Sequence, residues 1–171
     1  MARAAKTTSG SAVTRGAVTK ANAADHEGVR QVLSHYCACI DQGQLDALSE
    51  LFVPTGELVV SFADGPPTRG RAAIAAWYRE FFRGWPKASH ARHKIFEPCI
   101  RVDGATATAS TYFDSDFVEG SGRVTILAGR YEDELVKRRG RWFFARRTIT
   151  ITHHYSPGQA TEGMKRYRAR R

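Results

Sequence analysis

Cysteine is scarce in this chain. Only Cys37, Cys39 and Cys99 occur among 171 residues, and none forms a CxxC pair. That excludes a disulfide framework and the spacing of a zinc motif, and leaves thiols buried in a reducing cytosol as the expectation. Long apolar runs are also missing. No stretch approaches the ~18 apolar residues that a spanning helix needs, and the N-terminus lacks the apolar segment of a secretory signal, so export and membrane insertion are not expected. The strings GxGxxG, GxxxxGK[ST] and GxSxG do not occur, which argues against dinucleotide, triphosphate and serine-hydrolase chemistry.

Acidic residues are missing from the ends. Residues 1–24 carry Arg3, Lys6, Arg15 and Lys20 with no Asp or Glu, and residues 156–171 carry five Lys or Arg against Glu162. Eight of the nine net positive charges therefore belong to two tails, and residues 25–155 are close to neutral. Tails of this kind keep a protein soluble or meet phosphates without specificity. The run Lys165–Arg171 offers one aromatic, Tyr167, for stacking, so nucleic-acid binding by the tails is not expected.

What is present is an apolar complement large enough for one domain: 42% hydrophobic residues, with nine Phe, six Tyr and three Trp. Residues 1–24, rich in Ala, Thr, Ser and Gly without apolar periodicity, read as a disordered basic extension. They are acid-poor like an organelle transit peptide but show no amphipathic helix. Residues 25–155 form the folded domain, and residues 156–171 a basic tail.

Helical spacing of Val29, Val32, Leu33, Tyr36 and Ile40 predicts a first helix from Asp25, its N-cap, to Asp41, where Gln42-Gly43 breaks it. A short second helix turns Leu45, Leu48, Leu51 and Phe52 inward until Pro54-Thr55-Gly56, and Leu58–Phe62 reads as a short strand. After the turn Asp64-Gly65-Pro66-Pro67, Arg71–Phe82 gives a third helix through Ile74, Trp77, Tyr78, Phe81 and Phe82. Four long strands follow, over Lys94–Val102, Thr106–Val118, Arg123–Lys137 and Arg141–His154, joined by tight turns such as Asp103-Gly104. Helices first and antiparallel strands afterwards predict an α+β domain. Its expected form is a cone-shaped α+β barrel, in which three N-terminal helices close over a strongly curved, mainly antiparallel sheet and leave a pocket at the mouth.

Within that frame Asp41 stands out, because it ends an apolar stripe and a carboxylate turned toward a core needs a partner. A histidine such as His93 could supply one, giving an acid–base pair that works near neutral pH; His90 is the other candidate. The competing reading of Asp41 is an ordinary helix-end turn residue. Tyr36 lies five residues earlier, about 140° around the helix, so both reach one cavity only if the pocket wraps around the helix end. On the last strand Arg147 shares parity with Phe143, Ala145, Ile149 and Ile151, where a charge requires an anion such as Asp116 or Glu132; Arg146 faces the other way with Trp142 and Phe144. Asp116 shares a strand face with Tyr112 and Asp114. His153 and His154, adjacent on a strand, point to opposite faces and cannot chelate one ion, so no metal site is expected.

The order of elements and several local strings resemble the nuclear transport factor 2-like fold, and within it the SnoaL-like proteins, over about residues 26–155. The strings are Tyr36-Cys-Ala-Cys-Ile-Asp41-Gln-Gly-Gln-Leu-Asp46 with Leu51-Phe52, Gly70-Arg-Ala-Ala-Ile74, Arg92-His93 ahead of Val102-Asp103-Gly104, Gly129-Arg-Tyr-Glu-Asp-Glu-Leu135, and Arg141-Trp142 leading to Arg146-Arg147. The resemblance implies a pocket for small hydrophobic molecules, as in scytalone dehydratase, bile acid dehydratase, hexachlorocyclohexane dehydrochlorinase, ketosteroid isomerase and polyketide cyclases. Other members are noncatalytic. In the dehydratase branch a helix-end Asp and a strand-borne His form the catalytic pair, which matches Asp41 and His93. Tyr36, Asp116 and Arg147 match further pocket positions. A homo-oligomer, dimer or trimer, is also implied.

Taken together, the expectation is a cytoplasmic, cofactor-independent lyase or isomerase, foremost a dehydratase, acting on a small hydrophobic and cyclic molecule such as a steroid or polyketide. Asp41, His93, Tyr36 and Arg147 are the expected catalytic residues; Asp116, Trp77, Tyr78, Phe82 and Tyr112 are expected to meet the substrate. The alternative is a noncatalytic binding or assembly module of the same fold, its pocket filled by Trp77, Tyr78 and Phe82 or its Asp41 and His93 held apart.

Overall fold

A computed structural model describes residues 18–19, 22–63, 65–84, 90–119 and 122–156. Both basic tails fall almost wholly outside these residues, and with them the disorder expected of residues 1–24. Among the described residues three helices, α1 (Ala23–Asp41), α2 (Leu45–Glu50) and α3 (Arg71–Arg83), accompany seven strands: β1 (Phe52–Val60), β2 (Thr68–Arg69), β3 (His90–Ile95), β4 (Cys99–Asp103), β5 (Thr106–Val118), β6 (Val124–Arg138) and β7 (Arg141–Tyr155).

The α+β class matches the expected one, but the cone does not. Strands run in the order β2-β1-β7-β6-β5-β3, with β4 also paired to β5, and the two ends of that path do not meet. The sheet is open and mixed, neither closed nor strongly curled. Its mixed character comes from β1, which runs parallel to β7 while the other pairs are antiparallel. Tight-turn signals disclose only pairing between consecutive strands, so a partnership between β1 and a strand some 80 residues later left no local mark.

Two further differences have plain causes. Pro54-Thr55-Gly56 does not end a helix; it lies inside β1, where the register to β7 shifts between Phe52 and Glu57 and no ladder donor is required of proline. The strand expected over Lys94–Val102 is two strands, because Phe96-Glu97-Pro98 interrupts it. Both halves pair with β5, β3 opposite Phe113–Val118 and β4 opposite Thr106–Ser110.

The core lies between the helices and one face of the sheet. Val29, Leu33, Tyr36 and Ile40 of α1 and Ile74 and Tyr78 of α3 meet Phe113, Tyr131, Leu135 and Phe144. The helix entry is fastened by Asp25, which is in the first turn rather than at the N-cap. It accepts a hydrogen bond from Trp142 Nε1 at 3.1 Å and an ion pair from Lys137 at 2.6 Å. Asn22 takes the cap position.

Candidate active site

Asp41 is the last residue of α1, and β3 passes beside it. The backbone N–H of His93 donates to both carboxylate oxygens, at 3.1 and 3.0 Å, and His93 Nδ1 lies 2.6 Å from Oδ1. A carboxylate beside Nδ1 fixes the tautomer with hydrogen on that nitrogen and leaves Nε2 free to accept a proton. The His93 side chain is 7% exposed and that of Asp41 24%, so the imidazole is turned inward and the carboxylate keeps some water.

The ring faces a narrow apolar cavity of about 40 Å³ that opens to solvent at its mouth. Tyr36 and Ile40 from α1, Trp77, Tyr78, Phe81 and Phe82 from α3, and Phe113, Ser115 and Phe117 from β5 line it, together with Val60, Phe62, Leu127, Tyr131, Ile149 and Ile151. Phe117 meets His93 edge-on, with centroids 5.8 Å apart. Among the described residues no Asp, Glu, Lys or Arg lines the cavity. Its polar groups are His93, Ser115 and three tyrosines, and the Ser115 hydroxyl donates to the Leu127 carbonyl.

The Tyr36 and Tyr78 hydroxyls are hydrogen-bonded to each other. Two hydroxyls that share one bond retain one proton for a ligand oxygen. Burial pushes Tyr36 up to about 12, partly offset by the charge of Arg147, and pushes Tyr78 and Tyr131 upward as well. All three therefore stay protonated at neutral pH. Cys37, one turn before Asp41, is pushed up to about 11 by burial, which leaves it unsuited to act as a thiolate.

The family follows from a further observation. The SnoaL-like domain model matches residues 21–148. This chain belongs to that family. Among relatives of the SnoaL-like domain, an uncharacterised protein of Mycobacterium tuberculosis is 25% identical over 138 residues, which cover 80% of this chain and 91% of that one. A Novosphingobium aromaticivorans structure provisionally named a scytalone dehydratase superposes with a TM-score of 0.70 at 24% identity, covering 81% of this chain and 91% of its own. A type 2 hexachlorocyclohexane dehydrochlorinase gives 0.68 at 13% identity, covering 78% and 88%. At such identities the structures establish likeness of fold.

Against this SnoaL-like frame the sequence candidates separate into three groups. His93, Tyr36, Trp77, Tyr78 and Phe82 line the cavity, and Asp41 stands behind His93. His90, at the exposed start of β3, does not meet Asp41 there. Asp116 and Tyr112 lie outside the cavity: Asp116 is ion-paired to Arg92 and Lys94, and Tyr112 is 65% exposed. The alternation of β5 turns Phe113, Ser115 and Phe117 to the cavity and so turns the residues between them away.

Arg147 forms the third group. It is fully buried but lines no part of the cavity. Its partner is Asp133, not Asp116 or Glu132, with Nε and Nη2 each 2.8 Å from a carboxylate oxygen. Arg146 faces outward to Glu57 at 3.1 Å. Phe144 and Arg147 are both wholly buried although their parity differs, because the β6–β7 register shifts between Arg146 and Phe144 and a bulge restores both side chains to one face. Sequence reasoning missed Asp133, Tyr131 and Ser115. A usable signal existed for Asp133, since it alternates with Tyr131 and Leu135 on one strand face.

Proposed function

We propose that this SnoaL-like protein is a lyase or isomerase, in its simplest form a dehydratase, for a small, neutral, cyclic molecule bearing a carbonyl group. The observation that carries the reading is the 2.6 Å contact between His93 Nδ1 and Asp41 Oδ1 at the wall of an apolar cavity. Asp41 orients the ring and stabilises the imidazolium formed when Nε2 takes a proton. A carbon beside a carbonyl supplies that proton, and the Tyr36–Tyr78 pair donates to the carbonyl oxygen as it gains charge. In dehydration the C–H electrons become the C=C bond, the C–O bond at the next carbon breaks, and the departing hydroxide leaves as water with the proton returned by His93. If the proton returns to another carbon instead, the outcome is double-bond migration.

The absence of charged side chains among the described lining residues supports a substrate that enters uncharged, with charge developing only at the oxygen met by the Tyr36–Tyr78 pair. Likeness of fold to proteins named as dehydratase and dehydrochlorinase supports elimination as the reaction type. A noncatalytic module would need neither the paired imidazole nor a spare donor facing the same space. The test is turnover of a panel of cyclic β-hydroxy ketones, followed as loss of water by mass. The wild type should convert at least one, with Asp41→Asn and His93→Ala slower by roughly 10²–10⁴-fold; undiminished turnover in both variants contradicts the mechanism.

A further inference from the structure

Arg147 is placed where a charge is hard to justify by packing. It is 0% exposed, and its Nη1 is the one buried side-chain polar atom among the described residues without a hydrogen-bond partner. Apolar side chains of similar volume commonly replace such buried pairs without loss of stability. The guanidinium is enclosed by aromatic faces: its Cζ stands 3.8 Å from the Tyr36 centroid, 4.2 Å from Phe144 and 4.3 Å from Tyr131. Two of those rings, Tyr36 and Tyr131, form the cavity wall. Asp133 holds the guanidinium through two hydrogen bonds, from Nε and Nη2 at 2.8 Å each, which fixes the group that stands over the Tyr36 ring.

We infer that Asp133 and Arg147 are positioning residues for Tyr36: the pair fixes a positive charge behind the ring whose hydroxyl, joined to that of Tyr78, meets the ligand oxygen, and so favours ligands whose oxygen becomes anionic. The inference rests on the reading of the cavity given above and extends it from a neutral carbonyl to the enolate or phenolate that proton removal creates. A guanidinium against the face of a phenol attracts negative charge on that phenol and on whatever shares its proton. Asp133 has no contact with the cavity and acts through Arg147 alone.

The test compares two probes of one shape, 4-nitrophenolate and 4-nitrotoluene, by binding titration of the full chain. In the wild type the phenolate should bind more tightly than the toluene. Asp133→Leu/Arg147→Met should lower the ratio of the two affinities about tenfold while leaving 4-nitrotoluene binding nearly unchanged. Tyr36→Phe should lower the ratio as well. If Tyr36→Phe lowers it and the double variant does not, the inference is overturned and the cavity reading stands. An unchanged ratio in Tyr36→Phe overturns both. A purely structural role for the pair would weaken both probes alike and leave the ratio fixed, which also overturns the inference. If the double variant fails to fold, Asp133→Asn/Arg147→Gln, which removes both charges but keeps polar partners for each other, should lower the ratio as well, and a ratio equal to the wild type counts against the inference.

Discussion

His93 Nδ1 and Asp41 Oδ1 stand 2.6 Å apart, and the His93 backbone N–H binds the same carboxylate. The backbone contact means that Asp41 ties β3 to the end of α1 as well as setting the imidazole. Nitrogen-15 NMR of the histidines should therefore place hydrogen on Nδ1 of His93 in the wild type. In Asp41→Asn the side-chain amide removes the anionic acceptor, and the population with hydrogen on Nε2 should rise. A His93 tautomer unaffected by Asp41→Asn would mean that the carboxylate does not set it.

Gly129 provides a test of the sheet. A Cβ placed there would collide with the backbone carbonyl oxygen of Thr150, at the bulge where the β6–β7 register shifts after Ala128. Backbone cannot step aside as a side-chain tip can, so Gly129→Ala should cost about 3 kcal/mol or more. Gly43→Ala meets no neighbour and strains only a positive φ of 67°, at about 1–2 kcal/mol. Urea midpoints of the two variants should rank in that order.

Alkaline stability should report the buried tyrosines. Tyr36 titrates at about 12 in the fold against 10.0 ordinarily, chiefly because burial disfavours the phenolate. Below pH 10.0 neither state ionises and the contribution is intact; between 10.0 and about 12 only the unfolded chain loses the proton, so stability falls as pH rises. Tyr36 alone gives a slope of about 1.4 kcal/mol per pH unit in that window. Tyr36→Phe should flatten the decline measured by denaturant titration.

At the acid end Asp116 works the other way. Burial raises its carboxyl, but hydrogen bonds and charge from Lys94 and Arg92 outweigh burial and hold it below 3.8. Its contribution is present above 3.8 and is lost as pH falls through the lower folded value. Because Arg92 is 73% and Lys94 44% exposed, the contribution is under about 1 kcal/mol. Asp116→Asn should thus lower stability slightly at neutral pH and not at all in strong acid.

Much of this architecture could be read from spacing. The apolar stripe of α1 put Tyr36 and Asp41 near the core, and Asp103-Gly104 located the turn before β5. What spacing could not carry was anything set by a distant strand or a single inserted residue. The bulge near Ala145 turns Phe144 and Arg147 to the same side, against the alternation that a regular strand predicts. The parallel pairing of β1 with β7 likewise depends on tertiary packing, and with it the open form of the sheet. Choosing His93 over His90 required the register of β3 against β5, in which His93 stands opposite Ser115 on the cavity side. Asp133 stands between Glu132 and Glu134, so local charge does not set it apart from its neighbours.

The proposed proton removal by His93 can be measured before any natural substrate is known. The measurement is exchange of the α-hydrogens of 2-tetralone, a neutral bicyclic ketone, in deuterium oxide at neutral pH, followed by NMR with and without protein. The wild type should accelerate exchange above the buffer rate, and His93→Ala and Asp41→Asn should each lose most of that acceleration. Exchange equally fast in His93→Ala, with the ketone bound in the cavity, would contradict the assignment of His93 as the base.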